Sequence, residues 1–453
     1  MKGKSLLLIA AFLVLLPWAA FASGPSVFEM GSKASAQAGA FAARADDSTA
    51  IFYNPAGIAF LDGQEFSFNM TYLKVDGQYR SPTLGTHDDR AENFFVPSAF
   101  YSARISDRLA FGFGMTPHYN LTTDWADNFP GRFASRHAEL ITITVRPVLA
   151  IRLDDHNAIA LGIDYHDASI NLTRALDTTL FSTNAANGFI NPYAVVTSEG
   201  TIDTHLRDQA LGWNIAYLGK WDAWSFGLTY KSKAGFDFEG HSSFETSPRI
   251  GPHAQAFAGT DVNLELDAVP SGAMMGIGWQ QDPWTVEFDV QWTEWSRWDR
   301  AWARFDRHTG STVMVPVSPT MIVPVEAPVV EDEQFIFDWD DTFCYRLGFG
   351  YRLSDTYELR WGILFDEAPV PDRTSSPVLP DQDRWSIQFG TGYESGNLGI
   401  DWYIMYLDSK TGHISGDNLY RYNDNGLYAY PMTPDGRYEF TTWLAGFQLK
   451  YKF

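Results

Sequence analysis

WTVEFDVQWT, residues 284–293, puts Trp284, Val286, Phe288, Val290 and Trp292 on one face of an extended chain, and Thr285, Glu287, Asp289, Gln291 and Thr293 on the other. Period two is the strand signal, because successive side chains of a strand leave opposite faces. The same unit recurs on both sides of it. Phe66, Phe68, Met70 and Tyr72 alternate with Ser67, Asn69 and Thr71; Ile141, Ile143 and Val145 alternate with Thr142, Thr144 and Arg146. Trp224, Phe226, Leu228 and Tyr230 alternate with Ser225, Gly227 and Thr229, and Phe343, Tyr345, Leu347, Phe349 and Tyr351 with Thr342, Cys344, Arg346, Gly348 and Gly350. Aromatic residues at the ends of the apolar faces read as interfacial girdles written in one dimension.

The connections alternate as well. Short links (Ser106-Asp107, Asp154-Asp155, Trp221-Asp222, Gln281-Asp282-Pro283, Ser354-Asp355, Ser395-Gly396-Asn397) take turns with long ones near 75–93, 121–136, 175–205, 241–259, 299–334, 367–381 and 411–436. Tight turns at one rim and long loops at the other describe an outer-membrane barrel, and the spacing predicts about fourteen strands. The fold class expected is all-β, a membrane-spanning antiparallel barrel. The chain closes on Trp443, Ala445, Phe447, Leu449, Tyr451 and Phe453. A terminal aromatic on an alternating last strand resembles the signal read by barrel-insertion machinery; the alternative is a β-sandwich whose last strand ends in Phe.

Composition agrees with a membrane wall. Of 453 residues, 16 are Trp, 21 Tyr and 33 Phe, a heavy aromatic load that suits two membrane–water interfaces. After residue 22 no apolar run approaches the length a spanning helix needs, so a membrane crossing falls to strands. Residues 1–22 read as a signal peptide: Lys2 and Lys4, an apolar core from Leu6 to Trp18, then Ala20-Phe21-Ala22. Losing those two lysines and no acid takes the formal charge from −22 to −24, which argues against nucleic acid as a partner. The lone Cys344 excludes a disulfide framework.

One stretch breaks the alternation. GAFAARADDSTAIFYNPAGIAF, Gly39 to Phe60, has no period, carries the breaker pair Asn54-Pro55, and is too apolar for a disordered tail. It is expected to fold as a compact plug with the strands closed around it, giving a signal peptide (1–22), a hatch (23–63) and a barrel (64–453). These residues, with WSFGLTYKSK at 224–233, GILFDEAPVP at 362–371 and LPDQDRW at 379–385, resemble the FadL-type long-chain fatty-acid transporters over essentially the whole mature chain. The resemblance implies a fourteen-stranded barrel with the hatch inside, passing hydrophobic molecules from the cell exterior into the outer membrane, some members carrying aromatic hydrocarbons instead. It implies no enzyme, no cofactor and no metal. The partners implied are a long-chain fatty acid or similar hydrophobic molecule, outer-membrane lipid and lipopolysaccharide, and a monomer is expected.

A sixteen-carbon tail gains roughly 0.8 kcal/mol per buried methylene, about 12 kcal/mol in all, and a charge-assisted bond to its carboxylate adds roughly 1.5–3. The tail supplies affinity and a cation supplies orientation. Strand parity points Arg384, Arg146, Lys231, Arg346 and Arg360 inward, since an Arg facing lipid at midplane costs roughly 2–4 kcal/mol. They either meet a ligand or pair with inward Glu287, Asp289, Glu358 and Asp366. For Arg384, in LPDQDRW, the resemblance implies a ligand-carboxylate role; Arg146 rests on parity alone. Trp125, Phe129, Phe133, Leu180 and Phe181, on long loops, either form a capture groove or pack the loops on each other. Pro117 sits within the third strand, and proline has no N–H for the ladder, so it predicts a break in the wall. The resemblance implies a side window there. Asn54, Pro55 and Ala56 are then expected to face it, with Asp46 and Asp47 anchoring the hatch to inward basic residues. An enzyme built on His118 and His166 and an open porin are the rival readings; G-x-S-x-G, H-E-x-x-H and paired Cys ligands are all lacking in the sequence.

Overall fold

In the computed structural model, which describes residues 24–91, 93–181, 198–246, 248–318, 321–414 and 434–453, the alternating segments become one closed antiparallel wall. In chain order its strands are β1 (Gln64–Ser81), β2 (Asn93–Arg104), β3 (Leu109–Thr116, resuming at Asn120–Asp124), β4 (His137–Arg152), β5 (Asn157–Asp177), β6 (Glu199–Trp221) and β7 (Trp224–Lys231, resuming at Ala234–Glu245). They continue as β8 (Thr260–Val269, then Gly272–Gln281), β9 (Trp284–Thr293, then Arg300–Phe305), β10 (Glu333–Ile336, then Thr342–Arg352), β11 (Tyr357–Asp366), β12 (Arg384–Ser395), β13 (Leu398–Ser409) and β14 (Gly436–Lys452). Each pairs with its neighbour, and β14 returns to β1 from Glu65↔Lys452 to Arg80↔Arg437. The fourteen expected strands are there. Closure leaves no edge except where a strand is interrupted.

The wall inverts the usual distribution of polarity. Outward side chains such as Leu161, Ile163, Leu228, Ile277, Ile363 and Ile387 are exposed, whereas inward Ser67, Asn69, Thr71, Glu287, Asp289 and Asp401 are buried. An apolar band outside and a polar interior is what a strand wall in lipid requires. Exposed Trp221, Trp224, Trp284, Tyr357 and Tyr451 ring the short-turn end; Phe95, Tyr345, Trp385 and Trp443 ring the loop end. The Thr309–Ser318 and Met321–Val330 hairpin forms a separate two-stranded sheet in the loop between β9 and β10.

Inside the wall lies Gly24–Phe60, almost wholly buried. As its lack of period implied, it holds only short helical pieces: one turn at Ser32–Ser35, another at Ala50–Tyr53, and two turns of 3-10 helix at Pro55–Phe60. Asn54 caps the last by accepting from the Ala56 N–H, with Pro55 at the first position, where its missing N–H costs nothing. The segment is tied around the whole circumference. Asp289 Oδ2 accepts the N–H groups of Phe41 (2.9 Å) and Ala42 (3.0 Å), and Glu287 Oε1 those of Ala43 (2.6 Å) and Arg44 (3.2 Å). Glu65 Oε1 accepts from Ser48 N–H at 2.7 Å, Ser98 Oγ donates to Met30 O, and Lys220 Nζ donates to Arg44 O. A helix-poor segment has unmet backbone donors; the inward carboxylates of β1 and β9 meet them.

Candidate functional site

The wall fails where Pro117 predicted. β3 stops at Thr116 and resumes at Asn120, and its ladder to β2 covers only Ala99–Arg104 against Ala110–Met115. Above that, Asn120–Asp124 has a ladder to β4 and, among the described residues, none to β2. β2 carries its own proline there, Pro97, paired with Met70 of β1. A proline on each strand bordering the gap leaves fewer donors to close it. The gap ends above, where Asp89 bridges Trp125.

What fills the gap is the start of the buried segment. Val27 N–H donates to His118 O at 2.7 Å, Asn120 N–H donates to Pro25 O at 2.6 Å, and Ser26 lies opposite Tyr119 as an antiparallel bridge. Phe28 and Phe52 pack edge-on against the His118 ring at 5.2 and 4.9 Å. Asn54-Pro55-Ala56, expected at the window, is elsewhere: Asn54 Nδ2 donates to Ala42 O and to Tyr217 O of β6, and the 3-10 helix rests on β4, β5 and β6. The Asn-Pro unit is a cap that turns the chain toward the short-turn end; Ser26–Phe28 face the break.

The far end of this latch is pinned by a loop. Gly24 N–H donates to Asp381 Oδ2 at 2.6 Å, and Gly24 has φ +60°, with the Trp295 ring 2.8 Å from where a Cβ would stand. Only glycine fits both conditions. Trp295 is fully buried and joins Trp298 (5.8 Å), Trp339 (5.5 Å) and Tyr119 (6.3 Å). With Phe236, Phe238, Leu264, Leu266 and Leu379 they make one continuous buried apolar cluster that reaches the interrupted strand at Tyr119 and Leu121. Burial outweighs the neighbouring Arg384 guanidinium and pushes the Asp381 carboxyl, in the loop before β12, up to about 6. A raised carboxyl pKa means the folded state binds a proton that the unfolded state has shed, so this group adds stability as pH falls through 6 and opposes folding above it. Isotope-edited infrared titration of the aspartates is expected to show a carboxyl with a midpoint near 6 that disappears in Asp381→Asn; all midpoints below 4 would contradict it.

The basic residues divide into two groups. Arg384 pairs with Asp366, and Arg146 holds Asp164 through Nε (2.5 Å) and Nη2 (3.1 Å). Arg360 is shared by Asp401 and Glu358, Lys450 by Asp401 and Glu394, and Arg44 pairs with Glu358. For these the structural pairing holds, including the two residues expected to meet a ligand carboxylate. Lys231 and Arg346 are in no ion pair among the described residues. Asp47 reaches the wall at Lys450 and Gln448, as expected, but Asp46 pairs with Lys33 and Arg44 of its own segment, because the Ala45 turn folds it back.

The loop aromatics are not an open groove. Trp125 and Phe129 are fully buried, stacked at 4.5 Å, and pack on Tyr438 and Tyr79, while Trp125 Nε1 donates to Pro377 O. Phe133 is covered under Arg132, and Phe181 packs on Phe257 and His253. These residues pack onto strand ends and, for Phe181, onto the 3-10 helix at Pro248–Phe257, rather than one loop onto the other; a large ring outside the lipid band leaves water wherever a neighbour can cover it. The Leu180 side chain, residues 1–23 with the expected signal peptide, and residues 182–197 lie outside the described residues. His118 and His166 form no dyad: His118 lies against the Tyr119 ring, tilted by 39°, and contacts Ser26 Oγ, and His166 Nδ1 bonds Thr144 Oγ1.

Sequence reasoning missed Pro97, Gly24, Phe28 and Trp295. Pro97 was open to the same proline rule; the others have no local signal, since each is defined by its partner. The family model described as "Outer membrane protein transport protein (OMPP1/FadL/TodX)" matches residues 13–453. A long-chain fatty acid transport protein of Escherichia coli O6:H1 is 25% identical over 431 residues, covering 90% of this chain and 89% of its own. Outer membrane protein P1 of Haemophilus influenzae is 23% identical, covering 82% and 83%. Among solved structures, a Pseudomonas aeruginosa FadL homologue superposes with a TM-score of 0.78 at 19% identity, covering 95% of this chain and all of that one. The Pseudomonas putida toluene transporter TodX superposes at 0.63 and 16% identity, covering 90% and 94%.

Proposed function

The chain belongs to the outer membrane protein transport family of OMPP1, FadL and TodX, and on that premise we propose that it carries long-chain fatty acids or similar hydrophobic compounds by passive diffusion. The observation that carries the reading is the backbone pairing of Pro25–Val27 with the interrupted β3. The segment that plugs the lumen is also the piece that completes the wall, so moving it opens a side door. A tail bound along the Trp298–Trp295–Tyr119 lining reaches that door without meeting the charged lower lumen, where Arg360, Asp401, Lys450 and Arg44 lie buried. Inserting an alkyl chain among those pairs would strip them of partners; leaving sideways into lipid costs the tail nothing in hydrophobic burial. Arg384 and Arg146 serve a ligand carboxylate only by exchanging Asp366 and Asp164 for it.

Cells without another uptake route, given this protein, are expected to take up labelled palmitate well above background. No rise for palmitate, hexadecane or toluene would sink the reading. Uptake of toluene without palmitate would favour the hydrocarbon alternative, which the neutralised Arg384 and Arg146 support.

A further inference from the structure

On the outer face of the wall, Arg80 of β1 stands directly opposite Arg437 of β14. On the other side of Arg437 is His413, in the Gly412–Ile414 segment that continues β13 beside β14. Arg80 and Arg437 alternate with buried Tyr79 and Tyr438, so both point outward, and His413 is exposed as well. Directly opposed side chains have Cβ atoms about 4.5–5.5 Å apart, and like charges at that separation destabilise the pair. Arg80 reaches Glu439 at 3.3 Å and donates to Gln78; Arg437 and His413 have no hydrogen-bond or ion-pair partner among the described residues. Lower in the same column, Lys74 is exposed, equally unpartnered, and in register with Trp443 of the loop-end aromatic ring. Asp76 lies between Lys74 and Arg80 on that face and pairs with neither. Acids outnumber bases 55 to 33 in this chain, and other exposed cations near the loop end find one: Arg90 holds Asp124, Arg207 holds Asp167 and Lys233 holds Asp267.

The height of the column selects what can satisfy it. Trp443 and Lys74 stand where the exposed apolar band ends, which is headgroup level. Arg80 lies farther along the same strand, about 20 Å away at roughly 3.4 Å per residue. A phospholipid offers its phosphate at the lower level only, whereas a glycolipid with a phosphorylated sugar chain offers phosphates at both. We propose that Lys74, Arg80 and Arg437 bind one phosphate-bearing glycolipid of the outer leaflet, its lipid-proximal phosphate on Lys74 and a phosphate of its sugar chain between the two arginines. Two guanidinium forks on one phosphate convert the mutual repulsion into a charge-assisted clamp. The site concerns how the barrel is seated in its membrane and is independent of what the barrel carries.

The test uses the full-length protein in glycolipid-free detergent micelles. Three probes are added: lipopolysaccharide with a phosphorylated core, the same glycolipid stripped of its core phosphates, and inorganic phosphate. Binding is read by native mass spectrometry and stability by heat-modified gel migration. The phosphorylated glycolipid is expected to bind about tenfold more tightly than the stripped one, the scale of a charge-assisted contact. Arg80→Gln/Arg437→Gln is expected to remove that difference, Lys74→Gln to weaken both forms alike, and Arg304→Gln, on β9 away from the seam, to change neither. Without glycolipid, Arg437→Gln is expected to unfold at a higher temperature than the unmutated protein, because the repulsion is gone; with the phosphorylated glycolipid the order reverses. A purely structural role for the pair would give no reversal. Equal binding of the two glycolipids by the unmutated protein, or a difference that survives the double substitution, would overturn the site. Full competition by inorganic phosphate at equal concentration would also overturn it, since any anion would then serve.

Discussion

Oxidised Ser26→Cys/Tyr119→Cys protein is expected to lose hydrophobic uptake by more than about tenfold, and to regain it on reduction, with the barrel intact throughout. Ser26 and Tyr119 are opposed in an antiparallel bridge, and such residues have Cα atoms about 4.5–5.5 Å apart, inside the range a disulfide spans. The bond would fasten the latch to the very strand it must leave. Native Cys344 is buried against Ala38 and Leu364 and offers no competing partner. Heat-modified gel migration reports the wall, and cellular palmitate uptake reports the route. Unchanged uptake in the fully oxidised protein would mean that cargo leaves by some other opening.

The second large effect concerns the mooring of the plug. Replacing both Glu287 and Asp289 by Ala strands the N–H groups of Phe41, Ala42, Ala43 and Arg44, each at a cost of roughly 1–3 kcal/mol when buried without a partner. The wall ladder through β9 uses the backbone and is unaffected by side-chain truncation. The plug is therefore expected to loosen inside a standing barrel. Small-ion conductance in planar bilayers should rise on the order of tenfold, and cells should become sensitive to bulky antibiotics. Conductance at the unmutated level would show that the remaining ties, among them those at Glu65, Ser98, Lys220, Lys450 and Glu358, hold the segment by themselves.

The wall was legible residue by residue. Trp284 to Thr293 alternates because each strand residue commits its side chain to one face, and that rule needs no knowledge of the partner strand. Pro117 was legible for the same reason: a missing N–H is a property of the residue itself. The inward direction of Arg146, Lys231, Arg346, Arg360 and Arg384 also followed from parity. Their fates did not. Nothing local distinguishes Arg346, lying over Phe28, from Arg384, tied to Asp366. Asn54-Pro55-Ala56 misled for a related reason, since a breaker pair says that the chain turns and is silent on where.

Sequence alone thus determined a closed strand wall, its polarity, the place where it breaks and a period-free leading stretch to fill it. Only the tertiary structure decided that Pro25–Val27 completes β3, that Gly24 is held by Asp381, 357 residues away, and that Lys231 and Arg346 meet no carboxylate among the described residues. The physical reason lies in range. Facing and breaking are set by the geometry of adjacent peptide units, whereas the pairing of buried charges depends on which groups barrel closure brings within a few ångströms, and no local pattern encodes that.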